Sequence, residues 1–106
     1  MRLTSNQVTQ LVSAMTPYIA DGHAELRLYG SRASNELKGG DIDLLLLLDK
    51  NERVSDLISE KHHILASIKH GIGDQKIDLF ITSQDQIEQD VFLKMIFPTS
   101  VFIHRW

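Results

Sequence analysis

The chain has no cysteine. That excludes disulfides, thiolate metal ligands and a cysteine nucleophile, and leaves the redox compartment open. It has no long apolar run either. The longest, Leu44 to Leu48, is far short of the ~20 residues a membrane-spanning helix needs. The N-terminal MRLTSNQVTQLVSAM carries polar residues inside its apolar pattern, with no uninterrupted signal-peptide core. Basic blocks are missing too. The net charge of -3 is spread over both signs, so no broad nucleic-acid surface is evident. A soluble cytoplasmic protein with no membrane partner is the expectation. A chain of 106 residues reads as a single domain, 1–106. It buries roughly two-thirds of its unfolded surface, so its core needs no crosslinks.

What is present is an alternation of helices and strands. Thr4 or Ser5 can cap a first helix carrying Val8, Leu11, Val12, Met15 and Ile19 at helical spacing. Pro17 kinks or ends it. Ala24 to Tyr29 reads as a strand, broken by Gly30. Ser31 to Lys38 reads as a short helix closed by Gly39-Gly40. Ile42 to Leu48 is the continuous apolar run expected of a strand buried on both faces. Val54 to Ile68 reads as one helix with Leu57, Ile58, Ile64, Leu65 and Ile68 as its stripe, and Gly71 to Asp74 as a turn. Lys76 to Ile81 is a third strand. Ser83 is placed to cap a helix from Gln84 to Met95 with Ile87, Val91 and Met95 inward. Pro98 stops that helix, and Ser100 to His104 is a short last strand. This order predicts an α/β (α+β) fold, a small mixed β-sheet covered by helices.

The chemistry concentrates in three places. Gly30-Ser31 makes a turn after the first strand, Asp41-Ile42-Asp43 opens the leucine run, and Asp78 lies in the third strand. Strand side chains alternate, so Asp41 and Asp43 point the same way. Two adjacent carboxylates repel unless a cation sits between them. Mg²⁺ suits such a pair because it takes hard oxygen ligands and shares substrate phosphates. If Asp78 shares their face, the three form a cup able to hold two ions. Gly30 lets the backbone approach a phosphate, Ser31 adds a hydroxyl donor and Arg32 adds positive charge. Taken singly, each feature has an ordinary structural explanation. Jointly they read as a phosphoryl- or nucleotidyl-transfer site.

The joint pattern resembles the minimal nucleotidyltransferases of the DNA polymerase β superfamily. Gly30, Ser31, Asp41, Asp43 and Asp78 fall on that family's motif, and the resemblance covers nearly the whole chain. It departs at two points: nine residues separate Ser31 from Asp41, one fewer than usual, and Ser34-Asn35 stands where relatives often carry Arg-Gly. The resemblance implies a polymerase β-like nucleotidyltransferase fold. It implies catalytic and metal roles for Asp41, Asp43 and Asp78, with nucleotide binding by Gly30, Ser31 and Arg32. It implies Mg²⁺, two ions, as cofactor and an NTP, ATP first, as substrate. A nucleoside monophosphate would pass to a hydroxyl of a protein or small molecule. A small helical HEPN-type protein is the implied partner, in an antitoxin pairing. The alternative is a catalytically weak or inactive binding module that neutralises or scaffolds a partner. A homo-oligomer stays open.

Other residues carry less. His62 and His63 are neighbours on a helix, face different directions, and read as solvent-facing, as does His70. Lys76 reads as a solvated lysine near a phosphate position. Phe92, Phe97, Phe102 and Trp106 gather near the C-terminus, where core packing is the first explanation and a partner surface the second.

Overall fold

The computed structural model describes residues 3–19, 22–33, 41–73 and 75–106, with the Ser31 and Arg32 side chains outside that description. Four strands form one sheet: β1 (Ala24–Tyr29), β2 (Ile42–Leu48), β3 (Ile77–Ser83) and β4 (Val101–Arg105), in the order β3-β2-β1-β4. β1 runs antiparallel to both β2 and β4, and β2 and β3 are parallel. A parallel pair needs a crossover. Helices α2 (Val54–Ser59) and α3 (Lys61–Ile72) supply it, and α1 (Ser5–Met15) packs beside α3. α4 (Val91–Ile96) contributes Leu93 to the packing of the other face. The result is the mixed, helix-covered α+β sheet expected from the alternation.

Local chemistry explains the start and stop of α1. Thr4 Oγ1 accepts from Gln7 N at 3.0 Å, and Gln7 Oε1 accepts from Thr4 N at 2.9 Å. This reciprocal cap satisfies two donors that the helix end leaves free. At the other end Pro17 sits in a 3-10 turn, Thr16–Tyr18.

Period-two alternation divides the sheet into two faces. Leu26 and Leu28, then Ile42, Leu44, Leu46 and Leu48, then Ile77, Leu79 and Ile81 meet Leu11, Met15, Leu57, Ile64 and Ile68 from the helices. Burying each such side chain is worth about 1.5–3 kcal/mol. The opposite face carries Tyr29, Leu45, Leu47 and Phe80 against Leu93. β2 is therefore apolar on both sides, which its leucine run predicts.

Several boundaries differ from expectation. The helix expected over Val54 to Ile68 breaks at Glu60, whose φ of -94° and ψ of 1° are not helical. Within α2 it is Leu57 that faces inward, and Ile58 is 51% exposed instead of joining the stripe. α3 runs on through Gly71, and Gly73 at φ 94° ends it; Asp74 lies outside the described residues. The helix expected from Gln84 is a 3-10 turn, Gln84–Gln86, and the α-helix starts only at Val91. Asp90 caps it by accepting from Leu93 N at 2.9 Å. Ser83 instead bonds Asn51 and Asp85 through its hydroxyl. The later start resets the helical phase, so Leu93 faces inward while Val91 and Met95 are 82% and 70% exposed. The C-terminal aromatics do not form one cluster. Trp106 packs on the α1 side and donates to Thr16 Oγ1 at 2.9 Å, Phe97 lies beneath the Arg27 guanidinium, and Phe92 and Phe102 are half-exposed. Of the helix expected over Ser31 to Lys38, a 3-10 turn Gly30–Ala33 is described; residues 34–40, with Gly39-Gly40, lie outside the described residues.

Candidate active site

The sheet register brings two of the three aspartates together. Asp43 of β2 is the direct neighbour of Asp78 of β3, and Tyr29 of β1 is the antiparallel partner of Asp43. Neighbouring strands lie about 4.8 Å apart, so these three side chains form a row across one face. The two carboxyls are close enough to act on each other electrostatically. Burial, then the charge of Asp78, then that of Asp41 hold the Asp43 carboxyl above its ordinary range, and Lys76 partly offsets this. The Tyr29 phenol is likewise pushed up, by burial first and then by Asp43 and Asp78.

Asp41 precedes β2 and is half-exposed; Lys76 Nζ lies 3.6 Å from its Oδ2. Among the described residues no three Asp, Glu or His side chains stand close enough to form a ready-made metal site. The arrangement is an in-register Asp43–Asp78 pair with the exposed Asp41 beside a lysine. Lys76 is solvated as expected, its side chain 71% exposed, with Asp41 as a surface ion-pair neighbour. His62, His63 and His70 are exposed, and the first two stack at 4.0 Å.

Gly30 lies against this pair. Its φ of 74° is in the left-handed region, and a Cβ there would collide with Asp43 Oδ2 and sit 3.3 Å from its Cγ. Glycine is required on both counts. Chain direction explains the placement: β1 ends at Tyr29, so the turn Gly30–Ala33 starts at the end of the sheet where β2 begins.

Two hollows flank the pair. One, ≈ 390 Å³, is lined by Tyr29, Ile58, Lys61, Asp78, Leu79, Phe80 and Ile81. The other, ≈ 550 Å³, lies between Gly30 and Ala33 on one side and Phe92, Met95, Ile96 and Thr99 on the other, with Tyr29 again on its wall. A third hollow, around Gly22, His23, Asp49 and Lys50, sits at the opposite end of β1 and β2 and contains none of the motif residues.

The Nucleotidyltransferase domain model matches residues 12–102. The chain belongs to the nucleotidyltransferase domain family. The match takes in β1, β2, β3 and the start of β4, the Gly30-Ser31 turn and all three aspartates. No curated protein matches the chain. In this nucleotidyltransferase domain, Tyr29 is the site neighbour that motif reading overlooked. Its signal was available: it immediately precedes Gly30, and alternation from the buried Leu28 puts it on the outer face. No helix among the described residues is long and apolar enough to cross a membrane.

Proposed function

We propose that this nucleotidyltransferase domain transfers a nucleoside monophosphate from ATP to a hydroxyl, using Mg²⁺. The observation carrying the reading is the in-register pair Asp43–Asp78 with Gly30 pressed against it. The donor set fits a hard divalent cation. All its atoms are carboxylate oxygens, and Asp43 is held above its ordinary pKa by burial and its acidic neighbours, a penalty a cation would relieve. Asp43 and Asp78 would hold it, with Asp41 joining once released from Lys76. When bound, Mg²⁺ would supply Lewis-acid charge to the phosphates and the attacking oxygen.

The chain's own groups have separable tasks. Gly30 opens room for a phosphate beside the carboxylates. Ser31 and Arg32 are the proposed contacts to the triphosphate. In the reaction, a bond forms between the acceptor oxygen and the α-phosphorus while the bond from that phosphorus to pyrophosphate breaks. Asp78, at the exposed side of the row, takes the acceptor's proton. Tyr29 stays a phenol and walls the site.

The acceptor is a protein or small-molecule hydroxyl, and the family resemblance makes a small helical HEPN-type protein the first candidate, in an antitoxin pairing. One observation favours the inactive-module alternative: Asp41 has a lysine 3.6 Å away as a competing cation. The deciding assay uses ATP labelled at the α-phosphate, Mg²⁺ and candidate acceptors. Label on an acceptor with wild type, lost in Asp43→Asn, supports transfer. Tight acceptor binding with no label from any NTP supports the alternative.

A further inference from the structure

The two edges of the sheet are unlike. β4 is five residues long, its register to β1 slips between Leu26 and Arg27, and Arg105 on it is tied to Asp49 and Glu25. A bulge and bound charges are how sheets block further pairing. β3, the other edge, shows no bulge and no ion pair among the described residues. It is seven residues long and its ladder to β2 is unbroken from Ile42↔Ile77 to Leu48↔Ser83.

The ladder fixes which β3 groups are free. Ile42 N donates to Lys76 O at 3.0 Å. In a parallel pair that pattern turns the N–H and C=O of Asp78 and Phe80 toward β2, and those of Leu79 and Ile81 outward. Among the described residues nothing pairs with these outward groups. Leu79 and Ile81 are 2% and 4% exposed, yet both line the ≈ 390 Å³ hollow. What they present there is backbone. Unpaired backbone in register is a template for one more strand.

We propose that the β3 edge receives an extended peptide as a fifth strand, and that this peptide carries the acceptor hydroxyl. The inference rests on the transfer reading and deepens it by naming the acceptor class. Alternation sets the peptide's pattern. Side chains on the Asp78 side meet first that carboxylate and then, two residues along, the Phe80–Phe92 pair, whose rings are 5.8 Å apart. A serine or threonine at the first position and a large apolar residue at the second therefore fit. The strand spacing of about 4.8 Å puts that hydroxyl beside Asp78. The opposite side chains meet Ile58, half-exposed with no other assigned role, and Lys61.

The test uses the full ¹⁵N-labelled chain and the capped peptide Thr-Val-Thr-Val-Ser-Val-Phe-Val-Thr, with two analogues N-methylated at alternate residues, one for each edge. Binding should shift the resonances of 77–83 and slow amide exchange at Leu79 and Ile81. One analogue should bind roughly tenfold or more weakly, because it loses its backbone donors. Ile58→Glu should weaken the parent peptide several-fold. Shifts confined elsewhere, equal binding of all three peptides, or β3 edges pairing between two copies of the chain would overturn the inference. Mn²⁺–ATP binding, read by thermal shift on the same sample, separates the two readings. An unbound peptide with bound nucleotide sinks only this inference. A bound peptide with no nucleotide binding sinks the transfer reading and leaves the edge as a docking site.

Discussion

The two faces of the sheet are built from the same strands and obey opposite rules. The inner face joins Leu26, Leu44, Leu46 and Leu79 to α1 and α3 in one apolar cluster. The outer face begins in the same way, with Leu45 and Leu47 beneath Leu93, and then gives over one end to Asp43, Asp78 and Tyr29. Along β2 the two characters are one residue apart. The lesson is that a strand secured by leucines on both sides can carry a self-repelling acid pair at its entry. The inner face stabilises; the outer face spends part of that stability on a site. The Arg27 network shows how the end of the outer face away from the aspartates is tied down. Arg27 Nε donates to Ser100 Oγ at 2.7 Å, Nη1 to Glu25 Oε2 at 2.7 Å, and the guanidinium lies 4.7 Å from the Phe97 ring.

The comparison can be broken from either side. The largest expected effect is on the inner face. Leu46→Ala should destabilise by about 2–5 kcal/mol, read as a lower urea midpoint at constant slope. An effect below 1 kcal/mol would mean the inner face is not the main support.

Asp43→Asn should do the reverse on the outer face. Transfer should fall roughly 10²-fold or more, since metal charge is worth several kcal/mol at such a centre. The metal-free variant should melt higher, by about 4–8 °C for each kcal/mol of relieved repulsion. A loss of stability would show that the pair is structural.

Gly30→Ala links the two. The left-handed backbone costs an alanine about 1–2 kcal/mol, and its Cβ would push Asp43 aside. A calorimetric Tm drop with loss of Mn²⁺–ATP binding is expected; unchanged binding would free the turn from the site.

A pH series sharpens the comparison further. Asp43 is raised above its ordinary 3.8 in the folded state. Between its unfolded and folded pKa the native chain holds more protons, so its contribution falls as pH rises through that window. Asp49 is lowered, by the hydrogen bond to Arg105 first, so its contribution is lost as pH falls through its folded pKa. The difference in Tm between wild type and Asp43→Asn isolates the first: in metal-free buffer it should widen as pH rises. Mg²⁺ should narrow it.

Lys76→Met is the smallest effect on stability, within about 1 kcal/mol, because the Asp41 pair is exposed. Mn²⁺ binding, by paramagnetic resonance, should nevertheless tighten, since a competing cation has gone. Weaker binding would make Lys76 a support of the site instead.

Much of this was legible beforehand where the signal was local. Thr4 and Gln7 mark a helix start by their own side chains. Ala24 to Tyr29 and Ile42 to Leu48 carry strand periodicity without interruption. Gly30 announces a backbone that no other residue tolerates so well. What failed was continuity across weak joints. The sequence over Glu60 reads as one helix, and so does the stretch from Gln84 to Met95, because spacing alone registers neither a lost turn nor a phase reset. Val91 and Met95 were placed inward for the second reason and lie outward, as does Ile58.

By itself the chain's sequence determined the leucine strand, the acids at its entry, the glycine before them and therefore the family. Only tertiary structure decided that Asp78 stands beside Asp43 rather than one residue out of register, that Lys76 lies near Asp41, and that β3 rather than β4 leaves an unbroken edge unpaired. The reason is range. Caps, turns and alternation act within a few residues of backbone, whereas register, ion pairing and edge exposure depend on which distant strands become neighbours.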